Sequence, residues 1–143
     1  MASKQTEALN KLYLEWVAAL KANPEMPLET NAAKGHIVTR DLIQGMARTF
    51  LGEGGNHRDP LANPLHADLR GFPPIYIQTG AHETPLEDSH RLADLARKSG
   101  VEVTLQIGPE RQHVFQFLAG TAPEADAAIG RLADWVRPKL GLQ

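Results

Sequence analysis

The sequence predicts an α/β fold built on a short parallel sheet, and three neighbouring segments predict it. Residues 75–79 are β-branched and aromatic and lie between Pro74 and Gly80, which is typical of a short buried strand. Residues 101–107 alternate apolar and polar side chains, which is typical of a strand with one more buried face. A helical segment separates the two. Since a strand, a helix and a strand with short joints form a right-handed crossover, the strands are predicted to be parallel neighbours.

The segment between the strands has the start and stop signals of a helix. Thr84 is predicted as its N-cap, with Pro85 at the first helical position and Glu87 three residues after the cap. Ser99 and Gly100 predict the end of this helix. Its apolar positions fall on one face, at Leu86, Leu92, Leu95 and Ala96.

Two helices are predicted ahead of the sheet. Residues 8–22 carry apolar side chains at three- and four-residue spacing; packing on the body, a substrate lid and a partner-binding helix are all open for them. Residues 39–51 form the second helix, opened by Thr39 as N-cap and closed by Gly52. The following residues, 53–74, are rich in Gly, Pro, Asn and Asp and are predicted as a loop with turns.

A last helix is predicted at residues 123–139. Thr121 and Glu124 have the spacing of a capping pair, and Pro138 to Gly141 supply the stop. Its apolar side is predicted to consist of Ala127, Ala128, Leu132, Trp135 and Val136. This helix is expected to cover one face of the sheet.

Length, charge and composition limit the classes of function. The 143 residues indicate a single domain, and a formal charge of -2 gives no basic surface for nucleic acid or for a membrane. The chain has no cysteine, so disulfides and thiolate metal sites are excluded. The first residues are too polar for a signal peptide and no apolar run approaches membrane-spanning length, so we expect a soluble cytoplasmic protein.

The polar loops that follow the two strands are the predicted functional region. Loops at the carboxyl ends of parallel strands form the binding crevice of open α/β sheets. The first loop holds His82 and Glu83, and the second holds Arg111, Gln112 and His113. A carboxylate in one loop can therefore reach an imidazole in the other and hold its tautomer, as a general base requires.

Four motifs follow each other in the C-terminal part of the chain. They are DPLANPL at residues 59–65, GFPPIYIQTG at 71–80, Glu83, and HVFQF at 113–117. In this order and spacing they resemble the C-terminal half of bacterial α/β-hydrolase esterases of the hormone-sensitive-lipase type, over about residues 31 to 142. The resemblance implies a partial α/β-hydrolase fold in one domain, with cap-like helices in residues 1–52 and the C-terminal hydrolase part in residues 53–143.

The resemblance also implies roles for individual residues. It makes His113 the catalytic base and Glu83 the acid of a triad, with Asp88 as the alternative acid. Glu83 is preferred because it lies in the loop, whereas Asp88 is predicted to lie one turn into the helix. The implied substrate contacts are Met46, Phe50 and Phe115, and for Met46 and Phe50 core packing is the competing interpretation.

The sequence departs from the resemblance at the nucleophile. In α/β-hydrolases a serine in a G-x-S-x-G turn precedes the acid and the histidine. The serines of this chain are Ser3, Ser89 and Ser99, and none lies in such a turn. A histidine-glycine oxyanion loop is also missing, since Gly54 and Gly55 follow Glu53. Near residues 27–31 the pattern passes directly from the start of the family's chain into its later cap, which indicates an internal deletion, natural or engineered.

A metal site is the competing hypothesis for the histidines. His82, Glu83, His90 and His113 are near one another in sequence or in the predicted loops, and three such groups can bind zinc. No H-x-x-x-H or H-E-x-x-H pair occurs, so no metal and no cofactor is expected.

We therefore expect a carboxylic-ester hydrolase of the esterase or lipase type that retains acid and histidine but lacks the serine nucleophile. The alternatives are a catalytically silent binding or assembly module and one half of a split esterase. A small-molecule ester is the expected substrate. Because a lone parallel pair leaves two strand edges unpaired, we also expect self-association, as a two-fold dimer.

Overall fold

The computed structural model describes residues 38–142, which divide into two compact units, 38–113 and 114–142. The first unit contains helix α1 (Arg40–Leu51), strand β1 (Ile75–Gly80), helix α2 (Leu86–Lys98) and strand β2 (Val103–Gly108). The second contains helix α3 (Pro123–Lys139). Short 3-10 turns lie at Pro64–His66 and Phe115–Leu118. The predicted helix at 8–22 and the proposed deletion near 27–31 lie outside the described residues.

The sheet is the predicted parallel pair. β1 and β2 run parallel, in a register that places Ile75 opposite Val103 and Gly80 opposite Gly108, and within residues 38–142 the sheet has these two strands. β2 begins two residues later than predicted. The reason is that the Val101 N–H donates to the Ala96 carbonyl (3.0 Å), so this residue ends the preceding helix instead of pairing in the sheet.

The core of the first unit lies between α2 and one face of the sheet. Leu69, Ala96 and Val101 form a buried cluster, and the strand residues Ile75 and Val103 pack against it. Ala96 is fully buried, and a small side chain there lets the helix approach the strands closely. This packing gives the two loops at the strand ends a rigid base.

The opposite face of the sheet carries a polar network. The Tyr76 hydroxyl and the Gln78 side-chain amide both donate to Gln106 Oε1, each at 2.6 Å. Since side chains alternate along a strand, Tyr76 and Gln78 point away from the face that holds Ile75. The network joins β1 to β2 through side chains as well as through the backbone ladder.

Helix α1 begins and ends as predicted, but its apolar side is exposed. Thr39 is the N-cap and its hydroxyl oxygen accepts from the Leu42 N–H (3.3 Å), while Gly52 ends the helix with a φ of 73°. Met46 and Phe50 are 63% and 76% exposed. The competing interpretation, in which Met46 and Phe50 pack in the core, is therefore wrong for the described structure.

The predicted cap of α2 is wrong. The helix begins at Leu86 with Pro85 as its N-cap, one residue later than expected. Thr84 therefore lies outside the cap position, and its buried hydroxyl has no hydrogen-bond partner among the described residues. The end of the helix is as predicted, since Gly100 has a φ of 80°.

Helix α3 has the predicted bounds but a different cap, and its buried side agrees with the prediction in part. Its N-cap is Ala122, which has no polar side chain, so the predicted Thr121 and Glu124 pair is wrong. The helix packs against the turn Phe115–Leu118. Of the predicted apolar side, Ala128 is buried, Trp135 and Val136 are half-buried, and Ala127 and Leu132 are exposed. Ala125, which was not predicted, is buried as well. Whether α3 covers the sheet stays a prediction.

Candidate active site

The loops after β1 and β2 leave the sheet at the same edge and are joined by backbone hydrogen bonds. The Ala81 N–H donates to the Gly108 carbonyl and the His82 N–H donates to the Arg111 carbonyl, both at 2.9 Å. The register that places Gly80 opposite Gly108 brings both loops out at one level. The two predicted loops therefore form one structure.

Glu83 is the buried acid of this structure. The residue is 5% exposed, and its Oε1 accepts from the Gly80 N–H (2.6 Å) and from the Thr79 hydroxyl. Its Oε2 contacts His113 Nδ1. The predicted contact between an acid of the first loop and the imidazole of the second is thus confirmed.

The contact with Glu83 determines which nitrogen of the His113 ring carries the proton. An ionised carboxylate only accepts, so the bonded Nδ1 carries the proton and the basic lone pair lies on Nε2. The His113 side chain is 36% exposed, whereas that of Glu83 is 6% exposed. The arrangement is a buried acid behind a solvent-accessible base, which can take a proton from a group in front of the ring.

Close backbone approach holds the second loop against the first. A Cβ atom on Gly80 would lie 2.3 Å from the Arg111 carbonyl oxygen, so only glycine fits at this position. Arg111 and Gln112 are each 6% exposed. These buried residues precede His113 and leave its loop little freedom to move.

Two left-handed residues bend the second loop. Glu110 has a φ of 56° and Val114 a φ of 50°, a region that β-branched residues rarely adopt. They lie on either side of the 111–113 segment. The backbone of this loop is therefore bent by conformations that need the surrounding contacts to persist.

The alternative acid lies elsewhere. Asp88 is in the first turn of α2, its side chain is 56% exposed, and its carboxylate pairs with Arg91 at 3.0 Å. Of the two acids left open by the sequence, Glu83 makes the contact to His113. Its catalytic role remains a prediction.

Two of the predicted substrate contacts, Met46 and Phe50, lie on helix α1. Phe50 lines an open groove of about 620 Å³ between α1 and the following loop. The described residues that line this groove include neither Glu83 nor His113. Phe115 belongs to the second unit and is 8% exposed. The binding roles of Met46, Phe50 and Phe115 stay predictions.

The serines of the described chain are engaged in α2. Ser89 donates to the Pro85 carbonyl (3.2 Å) and Ser99 donates to the Leu95 carbonyl (2.9 Å). Both hydroxyls thus bond to helix carbonyls. Ser3 lies outside the described residues.

The described residues were predicted to hold no metal site and no membrane-spanning segment. Among residues 38–142, no three His, Cys, Asp or Glu side chains are grouped to hold a metal ion. In the same residues, no helix has both the length and the apolar character that crossing a bilayer requires.

Thr79 is the site residue that the sequence analysis missed. Its segment predicts only a β-branched strand residue, but Thr79 is 3% exposed and its hydroxyl donates to Glu83. A signal was present. Alternation places Thr79 on the same face as Ile75 and Ile77, so a hydroxyl ends an otherwise apolar strand face just before the acid loop.

Comparisons with known proteins place the chain among hydrolases. A family model described as the alpha/beta hydrolase fold matches residues 2–117. The chain is similar to an acetyl-hydrolase of Streptomyces hygroscopicus, 38% identical over 99 residues, which covers 69% of this chain and 33% of that protein. It is similar to a carboxylesterase of Mycobacterium tuberculosis, 30% identical over 123 residues, which covers 82% of this chain and 38% of that protein.

A solved structure is similar as well. An esterase from the bacterial hormone-sensitive lipase family superposes with a TM-score of 0.74 at 38% identity, covering 76% of this chain and 36% of that one. The chain thus spans between 33% and 38% of the length of these relatives.

Proposed function

This chain belongs to the α/β-hydrolase family, and from that premise we propose that it acts on carboxylic esters, with His113 as general base and Glu83 as the acid that orients it. The contact between Glu83 Oε2 and His113 Nδ1 carries the proposal. The relatives named as esterases and an acetyl-hydrolase support the substrate class. A soluble small-molecule ester fits a base that is reached from solvent.

In the proposed reaction water is the nucleophile. His113 Nε2 takes a proton from a water molecule as the water oxygen attacks the ester carbonyl carbon. The tetrahedral intermediate then expels the alcohol oxygen, which receives that proton from the imidazolium, and a carboxylic acid and an alcohol leave. Glu83 keeps the proton on Nδ1 throughout and stabilises the imidazolium that forms.

The size of the effect is limited by what the chain lacks. A positioned base contributes roughly 10²–10⁴-fold over the uncatalysed rate. The sequence has no serine in a G-x-S-x-G turn, and oxyanion donors of the H-G-G-G type are missing from it. We therefore propose slow turnover that needs a good leaving group.

A second proposal is that this chain is one part of a split esterase whose nucleophile comes from another polypeptide. Two observations favour it. The chain spans about a third of its relatives' length, and the sheet of residues 38–142 has two strands. Strand edges are the usual site for adding a further strand from another chain.

The test is hydrolysis of p-nitrophenyl acetate by the purified protein. His113→Gln and Glu83→Gln remove the base and the orienting acid, and His90→Gln, at an exposed position of α2, is the matched control. We expect the first two to lose the rate above buffer and the control to keep it. Equal rates for the protein, His113→Gln and buffer would refute hydrolysis by the isolated chain and leave the silent binding module.

The split-esterase proposal is tested by addition. A polypeptide that carries the family's serine turn and the remaining strands is added to the chain, with its serine-to-alanine form as control. Activity that appears only with the serine form and only with His113 present supports the proposal. No gain with either form refutes it.

Assembly and location complete the proposal. We propose a two-fold dimer in which a second copy adds to the two-stranded sheet of residues 38–142, because small parallel sheets gain stability from a further strand. Light scattering after size-exclusion chromatography measures the mass, and a monomer at micromolar concentration would refute the dimer. Cytoplasmic location and an origin by truncation stay predictions.

A further inference from the structure

The carboxylate of Glu83 is held at one oxygen by two donors of different origin. Oε1 accepts the Gly80 backbone N–H at 2.6 Å and also the Thr79 hydroxyl. Both donors come from the end of β1 and both residues are buried. The other oxygen, Oε2, contacts His113 Nδ1.

Two hydrogen-bond donors on one oxygen restrict the rotation of the Glu83 carboxylate more than a single donor does. The terminal torsion of a glutamate side chain is broad and soft, so a carboxylate held by a single hydrogen bond can still rotate about it. A second donor on the same oxygen, arriving from a side chain instead of the backbone, restricts that rotation. The direction of Oε2 is then determined by the strand end and not by His113.

We propose that Thr79 is a positioning residue that fixes the Glu83 carboxylate and, through it, the tautomer and orientation of His113. The proposal rests on the proposed function only where it calls His113 the base, since the positioning itself is a property of the three side chains. Thr79 has one hydroxyl proton, and it is given to Oε1. Without it that oxygen loses one of the two donors that come from the end of β1.

The test measures the protonation of the His113 ring directly. The ¹⁵N shifts of a histidine ring report which nitrogen carries the proton, and the His113 signals are assigned among the 6 histidines by their loss in His113→Gln. Thr79→Val keeps the shape and removes the hydroxyl, and Thr79→Ser keeps the hydroxyl. Thr104→Val, on the opposite face of β2, is the matched control.

We expect Thr79→Val to lower the ratio of the Nδ1–H to the Nε2–H tautomer of His113 roughly tenfold, the effect of losing one hydrogen bond to a charged group. Thr79→Ser and Thr104→Val are expected to keep the ratio. An unchanged ratio in folded Thr79→Val overturns the proposal. If Thr79→Val does not fold, Thr79→Ala, which also lacks the hydroxyl, gives the same decision.

A double-mutant cycle separates positioning from a general structural effect. In a Glu83→Gln background, Thr79→Val is expected to change the tautomer ratio by less than about twofold, because its route to His113 has been removed. An equal change in both backgrounds overturns the proposal.

The tautomer ratio does not depend on ester turnover, so its outcome is separate from that of the proposed function. If the protein hydrolyses no ester, the proposed hydrolase activity is refuted, but the tautomer ratio of His113 still shows whether Thr79 is a positioning residue. If the protein is active, Thr79→Val is expected to lower kcat about tenfold with little change in KM. A change in KM alone would contradict positioning of the base.

Discussion

Gly80→Ala is the substitution for which the structure gives the clearest expectation. The new Cβ would lie 2.3 Å from the Arg111 carbonyl oxygen and 2.9 Å from that of Gln112. Ordinary contact begins near 3.4 Å, so the second loop must move by about 1 Å. The atoms in the way are backbone, which cannot turn aside as the end of a long side chain can.

The cost follows from what that movement breaks. Forcing an extra carbon into a packed site costs about 1–3 kcal/mol. The His82 N–H to Arg111 carbonyl bond, 2.9 Å long, is at the same point, and its loss adds about 1 kcal/mol. We expect Gly80→Ala to be about 2–4 kcal/mol less stable and to separate Glu83 from His113.

Urea unfolding followed by far-UV circular dichroism measures the stability, and the ¹⁵N shifts of His113 report the contact with Glu83. Gly45→Ala is the control, because this glycine lies inside α1 and its Cβ would meet no atom within 4 Å apart from the neighbouring residues and backbone of its own helix. The control is expected to be unchanged or up to about 1 kcal/mol more stable, since alanine favours the helix.

A Gly80→Ala protein with the stability of the parent and unchanged His113 shifts would refute this reasoning. It would mean that the two loops are not in close contact in solution. If stability falls but the His113 shifts are unchanged, only one expectation is refuted, namely that the contact between Glu83 and His113 depends on the close approach at Gly80.

Three further substitutions have definite expectations. Thr39→Ala removes the N-cap of α1 and is expected to cost about 1 kcal/mol in urea unfolding, with Thr39→Ser as control. The Arg70 side chain hydrogen-bonds Asp68 and lowers the pKa of that carboxyl to about 2, so ¹³C titration of Arg70→Ala is expected to return it towards 3.8. Because the pKa of Asp68 is lower in the folded protein, the ion pair with Arg70 stabilises the fold fully above pH 3.8, and this stabilisation is lost as the pH falls towards 2. Since both side chains are exposed, the effect on the free energy of unfolding is small. Val114→Asn is expected to stabilise the protein by about 1 kcal/mol, because asparagine tolerates a φ of 50° better than a β-branched residue does; equal or lower stability would contradict strain there.

The central part of the fold could be predicted from the sequence because its signals are local. Pro74 and Gly80 bound β1, and alternation marks β2, so the parallel pair and the loop contact between Glu83 and His113 followed from periodicity and topology. The fold class was confirmed by the family and by the structural relatives.

The errors concern details that a local pattern does not determine. Thr84 has the right spacing for a cap, but the chain turns at Pro85 and places the helix start one residue later. Ala127 and Leu132 have helical spacing, yet the buried side of α3 depends on what packs against it, here the turn Phe115–Leu118. Capping and burial therefore depend on tertiary contacts.

Thr79 was missed for the same reason. A threonine in a strand satisfies the β-propensity pattern, so nothing in its segment alone distinguishes a packing residue from a donor. Only the combination of its face, its place at the strand end and the acid four residues later identifies it. The lack of a G-x-S-x-G turn, by contrast, is read directly from the sequence.

The polar network on the outer face of the sheet favours one register of the two strands. It consists of Tyr76, Gln78 and Gln106. Sliding β2 by two residues would preserve the alternation of faces, but Gln106 would lose its place opposite Gln78 and the amide and phenol would have to find new acceptors. A side-chain bond remote from the chemistry thus selects one pairing among several that the backbone alone would accept. Because the register also places Gly80 opposite Gly108, it determines where along the sheet the loops of Glu83 and His113 meet.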